Sequence, residues 1–316
     1  MQEHLVQNPT MIQKVKKELS KAVVGQEKMI DALLIGLLCD GHILLEGVPG
    51  LAKTTTVNAL AKVLDLKFKR VQFTPDLLPS DIIGTEIYDM TNHNFKIKRG
   101  PVFSNLLLAD EINRAPAKVQ SALLEVMQEK QVTIGDDSFG IDLPFLVLAT
   151  QNPIEQEGAY ELPEAQLDRF MLKVIVGYNT KDQELAIAQK VANSDFEPLK
   201  PVLDKQMLQQ MKKEVKDIHI DLQVQEYIVD LIFATRQDKY KQHLLYGASP
   251  RATIDMFKAV KAFSYLQGKD HVSPLEVAAV IKDVLRHRLV LNYEAQAKEI
   301  DTDSVIEQII SEVDIP

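Results

Sequence analysis

A chain of 316 residues exceeds the roughly 100 to 200 residues of one ordinary domain, so its length favours two domains. Hydrophobic residues form 46% and charged residues 26%, with only 13 Gly and 14 Pro, a balance that excludes extended disorder. The 36 Lys and Arg against 45 Asp and Glu leave a net charge of −9, so the basic footprint of a duplex-binding chain is missing and a nucleic-acid partner would need a local patch.

The N-terminal segment lacks the apolar core of a signal peptide, and no stretch approaches the ~18 uninterrupted apolar residues of a membrane span, so a soluble, cytoplasmic protein is expected. From Met11 the apolar positions Ile12, Val15, Leu19 and Val23 recur at helical spacing, with Thr10 as a candidate cap. A second helix is predicted from Gln26 to Cys39, ended by Gly41. Cys39, the single cysteine, reads as a buried thiol behaving as a small hydrophobe.

His42 to Leu45 has the length of a buried strand, and it leads into a glycine-containing turn. Similar short apolar runs follow at Lys69 to Phe73, Leu106 to Ala109, Phe145 to Thr150 and Met171 to Val176, several of them separated by helical stretches. This alternation predicts a parallel sheet covered by helices, an α/β class. Two intervals interrupt it. Within the stretch near 73–103, the segments Thr85 to Asp89 and Phe95 to Lys98 flank a polar turn. Within 131–143, Gly135, Asp136 and Asp137 separate Val132 to Ile134 from Phe139 to Leu143. Both read as inserted hairpins.

Beyond Val176 helical periodicity takes over, in segments starting near Thr180, Asp204, Val224, Ser249 and Ser273; Glu197 to Pro201 forms a stiff connector. The chain therefore divides into an α/β region over 1–177 and an all-helical region over 178–316. The seven histidines show no metal-ligand spacing, and His287, between Arg286 and Arg288, reads as part of a solvated helix face.

The strongest chemical signal is Gly47-Val48-Pro49-Gly50-Leu51-Ala52-Lys53-Thr54, placed after a strand and before a helix that opens at Thr55. A phosphate chain needs inward-facing backbone N–H groups, a helix N-terminus, a lysine at the terminal phosphates and a hydroxyl on magnesium, and all four are present. Ala52 stands where the pattern expects glycine. Leu106 to Ala109 ends in Asp110-Glu111, and two carboxylates closing a buried strand suit cation binding and proton transfer, with Asp110 directed toward magnesium and Glu111 toward the attacking water. Asn152, after the next strand, could orient that water or sense the γ-phosphate. For Arg169 and Arg251 spacing alone points to surface residues.

Together these residues resemble the AAA+ ATPases and, among them, the MoxR family. The matching stretches are Val24-Gly25-Gln26, Glu46 to Thr54, Leu106 to Pro116, Ala149 to Pro153, Leu162 to Phe170 and Gly247 to Arg251, in family order over nearly the whole chain. Ala52 is typical of that family. The resemblance implies an AAA+ P-loop core with a C-terminal helical lid, ATP and Mg2+ as ligands, and the following roles. Lys53 and Thr54 belong to Walker A, Asp110 and Glu111 to Walker B, and Asn152 to sensor 1. Arg251 is sensor 2, reaching the γ-phosphate of its own subunit, and Arg169 is the arginine finger, reaching the neighbour's nucleotide. Val24, Gly25 and Gln26 line the adenine pocket, mainly through backbone. The two hairpins match the helix 2 insert and the pre-sensor 1 hairpin. Arg114 lies at the implied subunit interface without an assigned role.

The resemblance further implies a homo-oligomeric ring, a hexamer, that remodels or matures protein clients, with a von Willebrand factor A domain protein as partner. A DNA-associated motor or regulator is the contrasting reading, opposed by Asp136 and Asp137 on the second hairpin and supported only by Lys96, Lys98 and Arg99. A metal-chelatase motor subunit and a nucleotide-dependent scaffold without turnover are further alternatives.

Overall fold

The computed structural model describes residues 8–48, 50–151, 160–193 and 197–316. Helices α1 (Asn8–Leu19) and α2 (Glu27–Cys39) precede the first strand. In α1, Ile12, Val15 and Leu19 form one buried stripe. Helix α2 is buried nearly all round from Met29 to Leu38 and ends where Asp40 turns left-handed and its N–H caps Gly36 O. A helix apolar on every side must be covered on every side; the sheet takes one face and the C-terminal helices the other.

Then come β1 (Ile43–Glu46), α3 (Lys53–Val63), β2 (Phe68–Gln72), α4 (Pro79–Ile83), and the hairpin β3 (Gly84–Asp89) with β4 (Asn94–Arg99). Next are β5 (Leu106–Asp110), α5 (Ala117–Glu129), the hairpin β6 (Gln131–Ile134) with β7 (Asp137–Gly140), β8 (Leu146–Gln151), α6 (Glu164–Leu167) and β9 (Leu172–Ile175). Five strands form one sheet in the order β2-β5-β8-β1-β9, and every pairing is parallel. Glu46 sits in register with Gln151 and Ile175, and Gln72 with Asp110. The segments leaving β1, β5 and β8 therefore emerge at one edge of the sheet, where parallel sheets place ligands.

Both expected hairpins are present, although Asp137 belongs to β7, so the second turn is shorter than expected. They touch each other: a Cβ built on Gly135 would run into the Glu86 carboxylate. The β3–β4 hairpin exposes Ile87, Tyr88, Met90 and Phe95.

The rest comprises α7 (Lys181–Ala192), α8 (Lys205–Asp217), β10 (His219–Ile220), α9 (Leu222–Ala234), β11 (Leu244–Tyr246), α10 (Pro250–Leu266), β12 (His271–Val272), α11 (Pro274–Leu285), β13 (Val290–Leu291), α12 (Tyr293–Ala297) and α13 (Thr302–Glu312). This region is helical but not wholly so, because β10 pairs with β12 and β11 with β13. Segments of two or three residues carry no periodicity from which to predict them.

One apolar cluster covers one face of the sheet and runs through α1, α2 and α3 into α8, α9, α10, α11 and α13; the other lies on the opposite face beneath α5 and the hairpins. Near residue 177 the architecture changes while the packing continues.

Arg286, His287 and Arg288 do not lie on a solvated face. They are 6%, 5% and 6% exposed. Leaving the end of α11, they turn toward β9, whose outer edge has no strand neighbour among the described residues, and bond to the carbonyls of Phe170 and Lys173. An unpaired strand edge needs such cover.

Candidate nucleotide site

The loop after β1 closes a cavity of about 360 Å³ lined by Gly47, Gly50, Leu51, Ala52, Lys53, Thr54, Thr55, Arg70, Gln72, Asp110, Glu111, Thr150 and Gln151. Two glycines are required by geometry. A Cβ on Gly47 would meet Val176 O at 2.7 Å, and Gly50 has φ +88. Ala52, at φ 54, is also left-handed and immediately precedes α3. The position where the pattern expects glycine thus does have glycine-like backbone, and the alanine carries a local strain of about 1 kcal/mol. Pro49 and Asn152 lie outside the described residues.

Lys53 opens α3 and bonds Gly47 O at 2.6 Å. Burial lowers its pKa below the ordinary lysine value, against the pull of Asp110, Glu111 and Glu46. A lysine side chain beside a helix N-terminus suits a polyphosphate.

The two acids at the end of β5 are held differently. Asp110 Oδ1 accepts from Thr150 Oγ at 2.6 Å, and Oδ2 accepts from Arg70 Nη2 at 2.6 Å and Nε at 3.1 Å. Glu111 has left its strand, with φ 56 and ψ 51. Its N–H donates to Thr150 Oγ at 2.9 Å, and its carboxylate accepts from Gln72 Nε2 at 2.6 Å and pairs with Arg114 at 3.2 Å. Thr150 therefore orders both acids from the neighbouring strand. Arg70, Gln72 and Thr150 were not singled out from the sequence; Arg70 and Gln72 share one side of β2 by strand alternation, but only pairing with β5 brings them to Asp110 and Glu111.

Thr54 and Asp110 both line this cavity, and each carries a hard oxygen donor of the kind that suits Mg2+. Val24, Gly25 and Gln26 do not line this cavity. They join α1 to α2, and Gln26 Nε2 bonds Asn179 Oδ1 at 3.1 Å, just past the end of β9.

Arg169 and Arg251 lie elsewhere. Both line a second cavity of about 320 Å³, with Cys39, Asp40, Gly41, His42, Lys130, Met171, Asp255 and Lys258 among its walls. Gly41, His42 and Met171 precede β1 and β9, so this cavity is at the sheet edge opposite the phosphate loop. Arg251, at the start of α10, pairs with Asp168 Oδ2 at 3.2 Å. Arg251, expected to reach the γ-phosphate of its own subunit, thus lies in this structure at the sheet edge away from that loop, where α10 packs against α2. The side chain of Arg169 has no hydrogen bond or ion pair to a described residue.

Comparison with known proteins identifies the fold and the family. Residues 42–172 match the ATPase family associated with various cellular activities (AAA), and residues 238–309 match the AAA lid domain, so the fold and phosphate loop are those of an AAA ATPase. The chain is 46% identical over 305 residues to chaperone MoxR1 of Mycobacterium tuberculosis, covering 95% of this chain and 81% of that protein. It is 31% identical to the protein MoxR of Paracoccus denitrificans, covering 94% of each. A crystal structure from Cytophaga hutchinsonii superposes with a TM-score of 0.93 at 50% identity, covering 99% of this chain and 97% of that one. The chain belongs to the MoxR family of AAA+ ATPases. Among the described residues no helix is long and apolar enough to cross a membrane.

Proposed function

We propose that the protein binds ATP in the loop cavity, hydrolyses it to ADP and phosphate with magnesium, and completes each active site between two copies of the chain in a ring, a hexamer by family resemblance. The observation that carries this reading is the separation of Arg169 and Arg251 from the phosphate loop of their own chain. Arginines that stabilise the γ-phosphoryl charge must touch it, so these two can serve only another subunit's nucleotide.

In this reading the loop N–H groups and Lys53 hold the phosphates, and Thr54 and Asp110 hold Mg2+. The metal, when bound, neutralises charge on the β- and γ-oxygens. Glu111 takes the proton of the attacking water once it leaves Gln72. Asn152 orients that water, and Val24 to Gln26 contact the base through backbone. Residues 178–316 act as the lid. The finished machine is a cytoplasmic, chaperone-like motor for protein clients, which the name of the Mycobacterium relative also suggests. A von Willebrand factor A domain protein is its expected partner by family resemblance. Lys96 is paired with Asp89, and Arg99 stacks on Phe103 and Phe139, so two of the three basic residues that favoured DNA are engaged within the fold.

The test is ATPase rate against protein concentration. Specific activity should rise with concentration and be lost in Arg169→Ala, whereas Glu111→Gln should retain ATP without turnover. Equal specific activity at all dilutions, unaffected by Arg169→Ala, would remove the shared-site argument.

A further inference from the structure

The buried segment after α11 carries more bonds than covering a strand edge requires. Arg288, whose side chain is 1% exposed, donates from Nε to Asp168 Oδ1 at 2.9 Å. From Nη2 it donates to Phe170 O at 2.9 Å and to Asp255 at 2.5 Å, and from Nη1 to Val284 O at 2.9 Å. Its guanidinium thus ties together α10, α11 and the residues on either side of Arg169. Asp168 is the joint. Its carboxylate also accepts from Ser249 Oγ at 3.0 Å and pairs with Arg251 at 3.2 Å.

Two properties of this cluster bear on the arginine pair. First, Asp168 and Phe170 flank Arg169 in sequence, so anchoring both fixes the backbone from which Arg169 projects. Second, Asp168 is shared by a buried arginine and a half-exposed one, the side chain of Arg251 being 45% exposed. If Arg251 turns toward an anion, Asp168 keeps Arg288 and Ser249, and no carboxylate is left buried without a partner. A single-arginine arrangement would oppose that release, because stranding a buried charge is strongly unfavourable. Stability alone does not require such a network, since buried ion pairs are often replaceable by apolar packing.

We propose that Arg288 is a positioning residue, which through Asp168 sets Arg169 and Arg251 as one rigid pair presented to the nucleotide of an adjacent subunit. The inference rests on the shared-site reading above.

The test is subunit complementation. Arg288→Gln should bind ATP in its own loop within about twofold of the parent while its turnover falls about tenfold or more. Mixed with Glu111→Gln, which has an intact arginine face and a disabled water site, it should recover activity beyond the sum of the two alone, because its sound loop meets a sound neighbour. Arg169→Ala mixed with Glu111→Gln is the control. If the control recovers and the Arg288→Gln mixture does not, or if Arg288→Gln turns over at the parent rate, the positioning role is wrong. If the control itself fails to recover, the shared-site reading falls instead. Should Arg288→Gln fail to fold by circular dichroism, Asp255→Asn keeps the guanidinium and loosens one anchor. It should lower turnover severalfold, with nucleotide affinity unchanged and the same complementation; parent-level turnover there would overturn the proposal.

Discussion

Lowering the pH should destabilise this protein through His42, a residue with no part in the proposed chemistry. Its ring is 5% exposed, between the start of β1 and the end of α5. Nδ1 accepts the N–H of Val147 at 3.0 Å, which leaves Nε2 to donate to Met127 O at 3.1 Å, and Phe145 packs edge-on with centroids 5.6 Å apart. One neutral tautomer therefore uses both nitrogens. A second proton would have to sit on Nδ1, facing a donor. Burial foremost, with help from Lys130, pushes the pKa down to about 4 from 6.5, against the Met127 bond and Asp40.

Between those values the unfolded chain holds a proton that the folded chain refuses, so stability is complete above about 6.5 and falls as pH drops toward about 4. At about 1.4 kcal/mol per pH unit the loss amounts to roughly 3 kcal/mol, a large share of a domain's ~5–15 kcal/mol. Urea unfolding of the parent and of His42→Gln, from pH 7.5 to 4, isolates the effect. His287, held well below its usual value by burial, acts equally in both proteins and cancels. The parent's stability advantage should shrink by roughly 3 kcal/mol across the range. Parallel profiles, separated by a constant difference, would refute the assignment.

The nucleotide site yields further expectations. Gly47→Ala places a methyl 2.7 Å from Val176 O, so the loop must move and ATP affinity should fall about tenfold or more, measured by fluorescent nucleotide titration. Ala52→Gly relieves a left-handed alanine, so affinity should stay within about twofold of the parent, whereas Ala52→Val should weaken it clearly. Thr150→Val strands the Glu111 N–H at a cost of about 1–3 kcal/mol, so single-turnover hydrolysis should slow roughly 10- to 100-fold while ATP affinity changes little.

The order of elements and the phosphate loop were legible because their signals are local. A buried strand of four residues, a turn rich in glycine and a following helix need no knowledge of distant segments, and Asp110-Glu111 stood out because charge at the end of an apolar run is anomalous wherever it occurs. The support for those acids was not legible. Gln72 and Thr150 reach Glu111 only because β2, β5 and β8 are adjacent, and strand order leaves no mark on any one strand.

Arg286, His287 and Arg288 show the same limit more sharply. Three polar residues in a row read as solvated by every local rule, since ionic side chains are rarely buried. They are buried because a strand edge and three aspartates from elsewhere in the chain, Asp168, Asp255 and Asp303, supply partners. Likewise the amino acids at 169 and 251 declare arginines, but not which nucleotide they can reach. By itself the sequence determined the family, the phosphate loop and the two acids, all of them properties of contiguous residues. The tertiary structure decided which edge of the sheet the helical region covers, and thereby placed Arg251 away from its own phosphate loop and beside Arg169, which precedes β9. That decision depends on the packing of α10 against α2, a contact between segments more than two hundred residues apart.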